Sequence, residues 1–189
     1  MPALACAALC TAITAVAQPA YPVKPIRLIV GFAPGGGTDI LARALSQPLA
    51  ELLGQQLTID NRAGAGGVIA TELGARAAPD GYTLLVGSSA GFAINPNLMK
   101  KLPYDPVKDF APVGLFATLS YVVDVHPSLP AKTLRELLAL ARAQPAAINY
   151  GTAGQGSSTH LAIEQFGHMA GVRMTHVPYK GNAPAMTAL

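Results

Sequence analysis

Short, near-continuous apolar runs alternate along this chain with segments whose apolar positions recur every three or four residues. "IRLIVGF" (26–32) is such a run, of strand length, the pattern of a parallel strand covered on both faces. Behind it, Ile40, Leu41, Ala44, Leu45, Leu49, Leu52 and Leu53 fall at helical spacing, with Gly54 as the stop and Pro48 predicting a kink or a division. "QLTIDNR" (56–62) predicts a second strand. "GGVIATELGARAA" (66–78) predicts a helix closed by the Pro79-Asp80-Gly81 turn, and "YTLLVGSS" (82–89) a third strand. Strand, helix, strand, helix, strand in this order implies a parallel sheet.

The pattern then breaks. "NPNLMKKLPYDPVKDFAP" (95–112) holds four prolines and reads as a connecting loop. The apolar runs "VGLFATL" (113–119) and "YVVDVHP" (121–127) read as strands crossing between two domains. Thr133 to Glu136 is a T-x-x-E capping box opening a helix with Leu134, Leu137, Leu138 and Leu140. The first theme returns in "INYGTAGQGSSTHLAIEQFGHMAG" (148–171): strand, glycine loop, hydroxyl cap, helix, and Gly171 as C-terminal stop. "RMTHVPYKG" (173–181) predicts another strand, and "NAPAMTAL" (182–189) reads as the opening of a helix without its body.

Composition narrows the class. Half of the 189 residues are hydrophobic and 12% are charged, and 19 glycines with 16 prolines fit many tight turns between short elements. The formal net charge of +3 is spread over scattered Lys and Arg with no Trp, which argues against a nucleic-acid groove built from a basic stripe and aromatic platforms. Both cysteines, Cys6 and Cys10, lie in an apolar, uncharged opening that ends in Ala15-Val16-Ala17. That pattern reads as a signal peptide over 1–17, cleaved near Ala17, and implies export to the periplasm of a mature chain without cysteine.

The chemistry lies in two glycine loops, Ala33–Asp39 and Gly151–Thr159, each running from a strand into a helix. A helix start leaves backbone N–H groups without partners and carries partial positive charge, and glycines let those amides approach a ligand. Such a loop seats a carboxylate as readily as a phosphate. No Lys follows either loop, and Gly154-x-Gly156 lacks the third glycine of the dinucleotide fingerprint, so neither nucleotide motif is met. Asp39 reads as a structural residue that complements the helix start. Rival chemistries are weaker. Gly87-Ser88-Ser89-Ala90-Gly91 matches the G-x-S-x-G of a serine hydrolase, with Asp105 or Asp124 and His160 or His176 as partners, but Pro96 and the predicted loop deny Ser89 the helix an elbow needs. His160, Glu164 and His168 share one helix face, yet eight residues rise about 12 Å, too far for one metal ion.

Several motifs in order, "YPVKPIRLIVGFAPGGGTDILARAL", "NRAGAGGVIATELGARAAPDGYTLLVG", "LPYDPVKDFAPVGL", "INYGTAGQGSSTHLAIEQF" and "HVPYKGNAPAM", resemble the Bug family, the extracytoplasmic substrate-binding proteins of tripartite tricarboxylate transporters. The resemblance runs from about Tyr21 to Leu189. It implies an α/β, type II periplasmic-binding-protein-like fold of two doubly wound domains with a ligand cleft between them. The first domain would span 22–118 and the second 119–189, with the second domain and its return segment incomplete, since family members are longer. It also implies a monomeric receptor for a small carboxylic acid that delivers it to membrane transporter subunits, with no cofactor, metal or catalytic residue. The ligand side chains and amides would come from Phe32, Ala33, Gly35, Gly36, Gly37 and Thr38 on one side. Gly151, Thr152, Gly154, Gly156, Ser157, Ser158 and Thr159 would form the other, with Ser88 and Ser89 on the cleft wall and Tyr179 and Lys180 nearby.

Overall fold

The computed structural model describes residues 21–189, so the signal-peptide reading over 1–17 lies outside the described residues. Strand β1 (Ile26–Val30) lies between β2 (Leu57–Asn61) and β3 (Thr83–Val86), and pairs in parallel with both. A central strand has sheet neighbours on each side and layers above and below, which is why its run is apolar at all but one position: Ile26, Ile29 and Val30 are fully buried. Leu28, Val30, Val86 and Ala42 form the core of this sheet with Ile59 and Leu84 packed against it. Arg27, the one charged residue of β1, turns to neighbouring β2 and binds Asp60.

Helix α1 (Gly37–Leu53) crosses from β1 to β2 and runs on through Pro48 without being divided there. Pro48 is exposed, so the carbonyl of Ala44 that loses its partner faces water. A short 3-10 turn (Ala65–Gly67) leads into α2 (Val68–Ala75), and β3 follows. The next stretch corrects the sequence reading. Ser89 leads into a π-helical turn (Ala90–Ile94) and a helical turn α3 (Asn95–Leu98), where Pro96 occupies a first-turn position that needs no N–H donor. Tyr104 anchors the rest of this region by donating its hydroxyl to the carbonyl of Gly91, and Phe110 meets Phe92 and Tyr104 edge-on.

A second correction concerns 113–127. Residues 111–126 form no strand and all but Ala117 lie exposed, with Val113 at 90% and Leu115 at 85%. The β-branched composition is strand-like, but a strand exists only with a ladder partner, and among the described residues none pairs with this segment. Beyond it, α4 (Leu134–Ala143) opens with both halves of the predicted capping box in place: Thr133 Oγ1 accepts from the Glu136 amide at 3.3 Å, and Glu136 Oε2 from the Thr133 amide at 3.1 Å. Strand β4 (Asn149–Thr152) pairs in parallel with β5 (Thr175–Pro178), with α5 (Ser158–Ala170) crossing between them and the six-residue α6 (Asn182–Thr187) following.

Candidate functional site

The first glycine loop begins where β1 ends and is closed from below by Asp39. That carboxylate is buried, with 1% of its surface exposed. Its Oδ2 accepts from the Gly35 amide and from Arg43 Nε, each at 2.9 Å, and its Oδ1 accepts from Asn61 Nδ2 at 2.9 Å. Asn61 also donates to the carbonyl of Phe32 at 3.1 Å, tying the end of β2 to the loop. The Arg43 hydrogen bond is the largest reason that the Asp39 carboxyl is held down to about 2. The structural reading of Asp39 thus takes concrete form: it is spent on the loop's own geometry. Gly35, at φ +80°, takes the left-handed turn that aims its N–H at this carboxylate, so that amide is occupied. The amides of Gly37, Thr38 and Asp39 start α1 and have no partner within the helix.

The second loop is held by its own hydroxyls. Ser157, 1% exposed, is the N-cap of α5 and accepts from the His160 amide at 3.2 Å. Thr159 Oγ1 accepts from the Ala153 amide at 3.0 Å, and Thr152 Oγ1 from the Gly154 amide at 3.2 Å. Three hydroxyls that the sequence offers as ligand donors are therefore engaged within the loop. The Ser158 and Thr159 amides, at the first positions of α5, remain without helical partners. Tyr179 packs its ring over Gly151, where an added Cβ would lie 3.3 Å from it.

The loops after β1, β2, β4 and β5 meet at the carboxyl ends of their strands. Ala33 donates its N–H to the carbonyl of Lys180 at 3.0 Å, joining the first loop to the turn behind β5. Gly181 passes so close that a Cβ there would lie 3.0 Å from the Ala33 nitrogen, and a Cβ on Gly35 would touch that of Ala183 at 3.5 Å. On the other side, Gly66 crosses the second loop so tightly that a Cβ would overlap the carbonyl of Gln155, and one on Gly156 would overlap Asn95 Oδ1. Asn95 is buried and donates Nδ2 to the carbonyl of Gly66 at 3.3 Å. Gly66, Asn95 and Gly181 were absent from the sequence-derived site; the "NRAGAGG" run directly after a strand was the available signal for the first.

The rival chemistries look different in three dimensions. Ser89 does lead into helical structure, so the context fits the elbow better than the sequence suggests. Yet Ser89 is exposed, Ser88 is half-buried, and no histidine among the described residues bonds to either. His160 and His176 serve the second loop instead: the Gly156 amide donates to His160 Nδ1 at 3.4 Å, and His176 Nε2 lies 2.6 Å from Thr152 Oγ1. Their rings stack with centroids 4.0 Å apart, and Tyr150 stacks on the far face of His176 at 5.1 Å. Glu164 approaches His160 Nε2 at 3.8 Å and accepts the Tyr150 hydroxyl, which burial and that carboxylate push well above its ordinary range. Among the described residues no three His, Cys, Asp or Glu side chains converge as metal ligands.

The model of the tripartite tricarboxylate transporter family receptor matches residues 41–189. Three solved structures are similar over 89% of this chain. R. palustris Rpa4515 with adipate shares 40% identity at a TM-score of 0.86, with 56% of that chain covered. The periplasmic binding protein BugD shares 38% at 0.80, again with 56% covered. MatC from Rhodopseudomonas palustris with bound malate shares 35% at 0.79, with 57% covered. The fold is therefore the α/β fold of these periplasmic binding proteins. The chain spans about half the length of the curated relatives it matches, which reach 41% identity to it.

Proposed function

The chain belongs to the tripartite tricarboxylate transporter receptor family, and we propose that it forms the carboxylate-gripping part of a solute receptor. The observation that carries this reading is a pair of strand-to-helix glycine loops set against neighbouring turns, the first against the turn behind β5 and the second against the loop after β2, each presenting helix-start amides while Asp39, Thr152, Ser157 and Thr159 are engaged in the loops' own geometry. Amides in that position favour an anion of carboxylate size. Both loops leave the carboxyl ends of parallel strands, where open α/β sheets bind ligands. The related structures with adipate and malate support a small dicarboxylic acid as the ligand class.

In this reading the sheet of β1–β3 and the sheet of β4 and β5 belong to two lobes that close on the acid. The ligand shifts the open-to-closed balance by its differential affinity for the closed form. The closed receptor is then recognised by membrane transporter subunits on the periplasmic side. No bond is made or broken, and Ser88 and Ser89 line the cleft without acting as nucleophiles. The test is a thermal-shift and calorimetric titration with adipate, malate, their dimethyl esters and inorganic phosphate. Saturation at 100 times the dissociation constant is expected to add about 2.7 kcal/mol for a dicarboxylate. The esters are expected to give nothing. Binding of phosphate alone, or of esters as well as acids, would overturn the carboxylate assignment.

A further inference from the structure

The stacked histidines beside the second loop have no part in the ligand chemistry above, yet each touches the loop through a ring nitrogen, and that of His160 must be unprotonated because a backbone N–H donates to it. Gly156 donates its amide to His160 Nδ1, so the proton of that neutral ring sits on Nε2, toward Glu164. Thr152 Oγ1 accepts from the Gly154 amide and lies 2.6 Å from His176 Nε2 and 3.5 Å from the carbonyl of Gly154, so its hydroxyl proton goes to the ring when Nε2 is bare and to that carbonyl when Nε2 carries a proton. His160 is thus an acceptor for the glycine turn Gly154–Gly156, and the protonation of His176 Nε2 sets which way the Thr152 hydroxyl under that turn points. A proton on His160 Nδ1 would set one N–H against the Gly156 N–H, and a proton on His176 Nε2 would turn the Thr152 hydroxyl around. The two rings stack face to face at 4.0 Å, so a charge on one raises the cost of a charge on the other.

Resting on the carboxylate reading, we propose that His160 and His176 are positioning residues that make the second loop competent for its ligand only while both rings are neutral. Acidification then releases the acid. The titratable groups facing the pair are Tyr150 from β4, held protonated, and Glu164 from α5, whose carboxylate is shared between His160 and the Tyr150 hydroxyl. Burial, followed by the neighbouring His160, pushes the His176 ring below its ordinary value, with Glu164 acting in the opposite sense. A base whose folded value is depressed favours the native arrangement above the unfolded value, about 6.5, and that preference is lost as pH falls below it.

The experiment has two arms. In the first, adipate affinity is measured from pH 7.5 to 5.5 for the wild-type chain and for the double variant His160→Gln, His176→Gln, which keeps acceptor oxygens but cannot titrate. The wild type is expected to lose about tenfold more affinity than the variant over this range, the equivalent of one pK unit of coupling. The variant's curve also accounts for protonation of adipate itself. Parallel curves would overturn the proposal, as would a wild-type affinity that rises in acid, because a histidine cation would then be pairing with the ligand directly. In the second arm, the Gly156 amide proton resonance of the wild type is followed without ligand. It is expected to move upfield with the midpoint of the His160 ring protons, and a constant position would overturn the proposal. Failure of adipate to bind at any pH would sink the carboxylate reading, while the Gly156 titration would still decide this one.

Discussion

Asp39→Asn removes the charge that closes the first glycine loop, and its cost is calculable. The carboxyl is held at about 2 against an ordinary 3.8, chiefly by Arg43 and with help from the Gly35 amide and Asn61. A difference of that size corresponds to about 2.4 kcal/mol of stability at neutral pH, and because the group is buried little of it is screened away. The depressed value sets the sign: the contribution is complete above the unfolded value of 3.8 and is lost as pH falls toward 2. About half of it should remain at pH 3. An amide at this position also points a donor at one of three donors, Gly35, Arg43 or Asn61. Urea unfolding of wild type and Asp39→Asn at pH 7, 5, 4 and 3 measures this directly. The expected difference is about 2–3 kcal/mol at pH 7 and 5, shrinking by pH 3. A difference under about 0.5 kcal/mol at pH 7, or one that does not change with pH, would refute the view that this carboxylate organises the loop.

Gly66→Ala places a methyl group against the Gln155 carbonyl at a φ of +60°, so adipate affinity measured by calorimetry should fall at least tenfold while far-UV circular dichroism stays native. Ile29→Ala empties a fully buried site in the central strand and should lower unfolding free energy by about 2–5 kcal/mol in the same urea assay. Thr133→Ala breaks one half of an exposed capping box and should cost only about 1 kcal/mol, read as a small drop in melting temperature with ligand affinity unaltered.

The alternation of strand and helix was legible because it is written in local periodicity: the buried run of β1 and the amphipathic face of α1 need no knowledge of what lies across the fold. The Thr133 cap was legible for the same reason, since its partner lies three residues away. What could not be read was anything decided at a distance. The valines of 113–125 favour a strand only where a neighbour offers a ladder, and Pro96 broke no helix because it fell in a first turn. Ser157 and Thr159 look identical as ligand donors or as loop fasteners until the amides that donate to them are seen. The close passage of Gly66 over Gln155 joins residues 89 positions apart, and only the fold brings them together.

The stretch 111–126 sets how this chain behaves in bulk solution. It presents Val113, Leu115, Leu119, Val122 and Val123 to water on backbone without a ladder partner, and between 113 and 125 only Asp124 is charged. Open edges of this kind recruit like edges from other molecules. Colloidal stability should therefore fail before conformational stability does. Turbidity should rise with protein concentration at temperatures below the melting transition, and dilution, low salt or a Lys in place of Val122 should delay it.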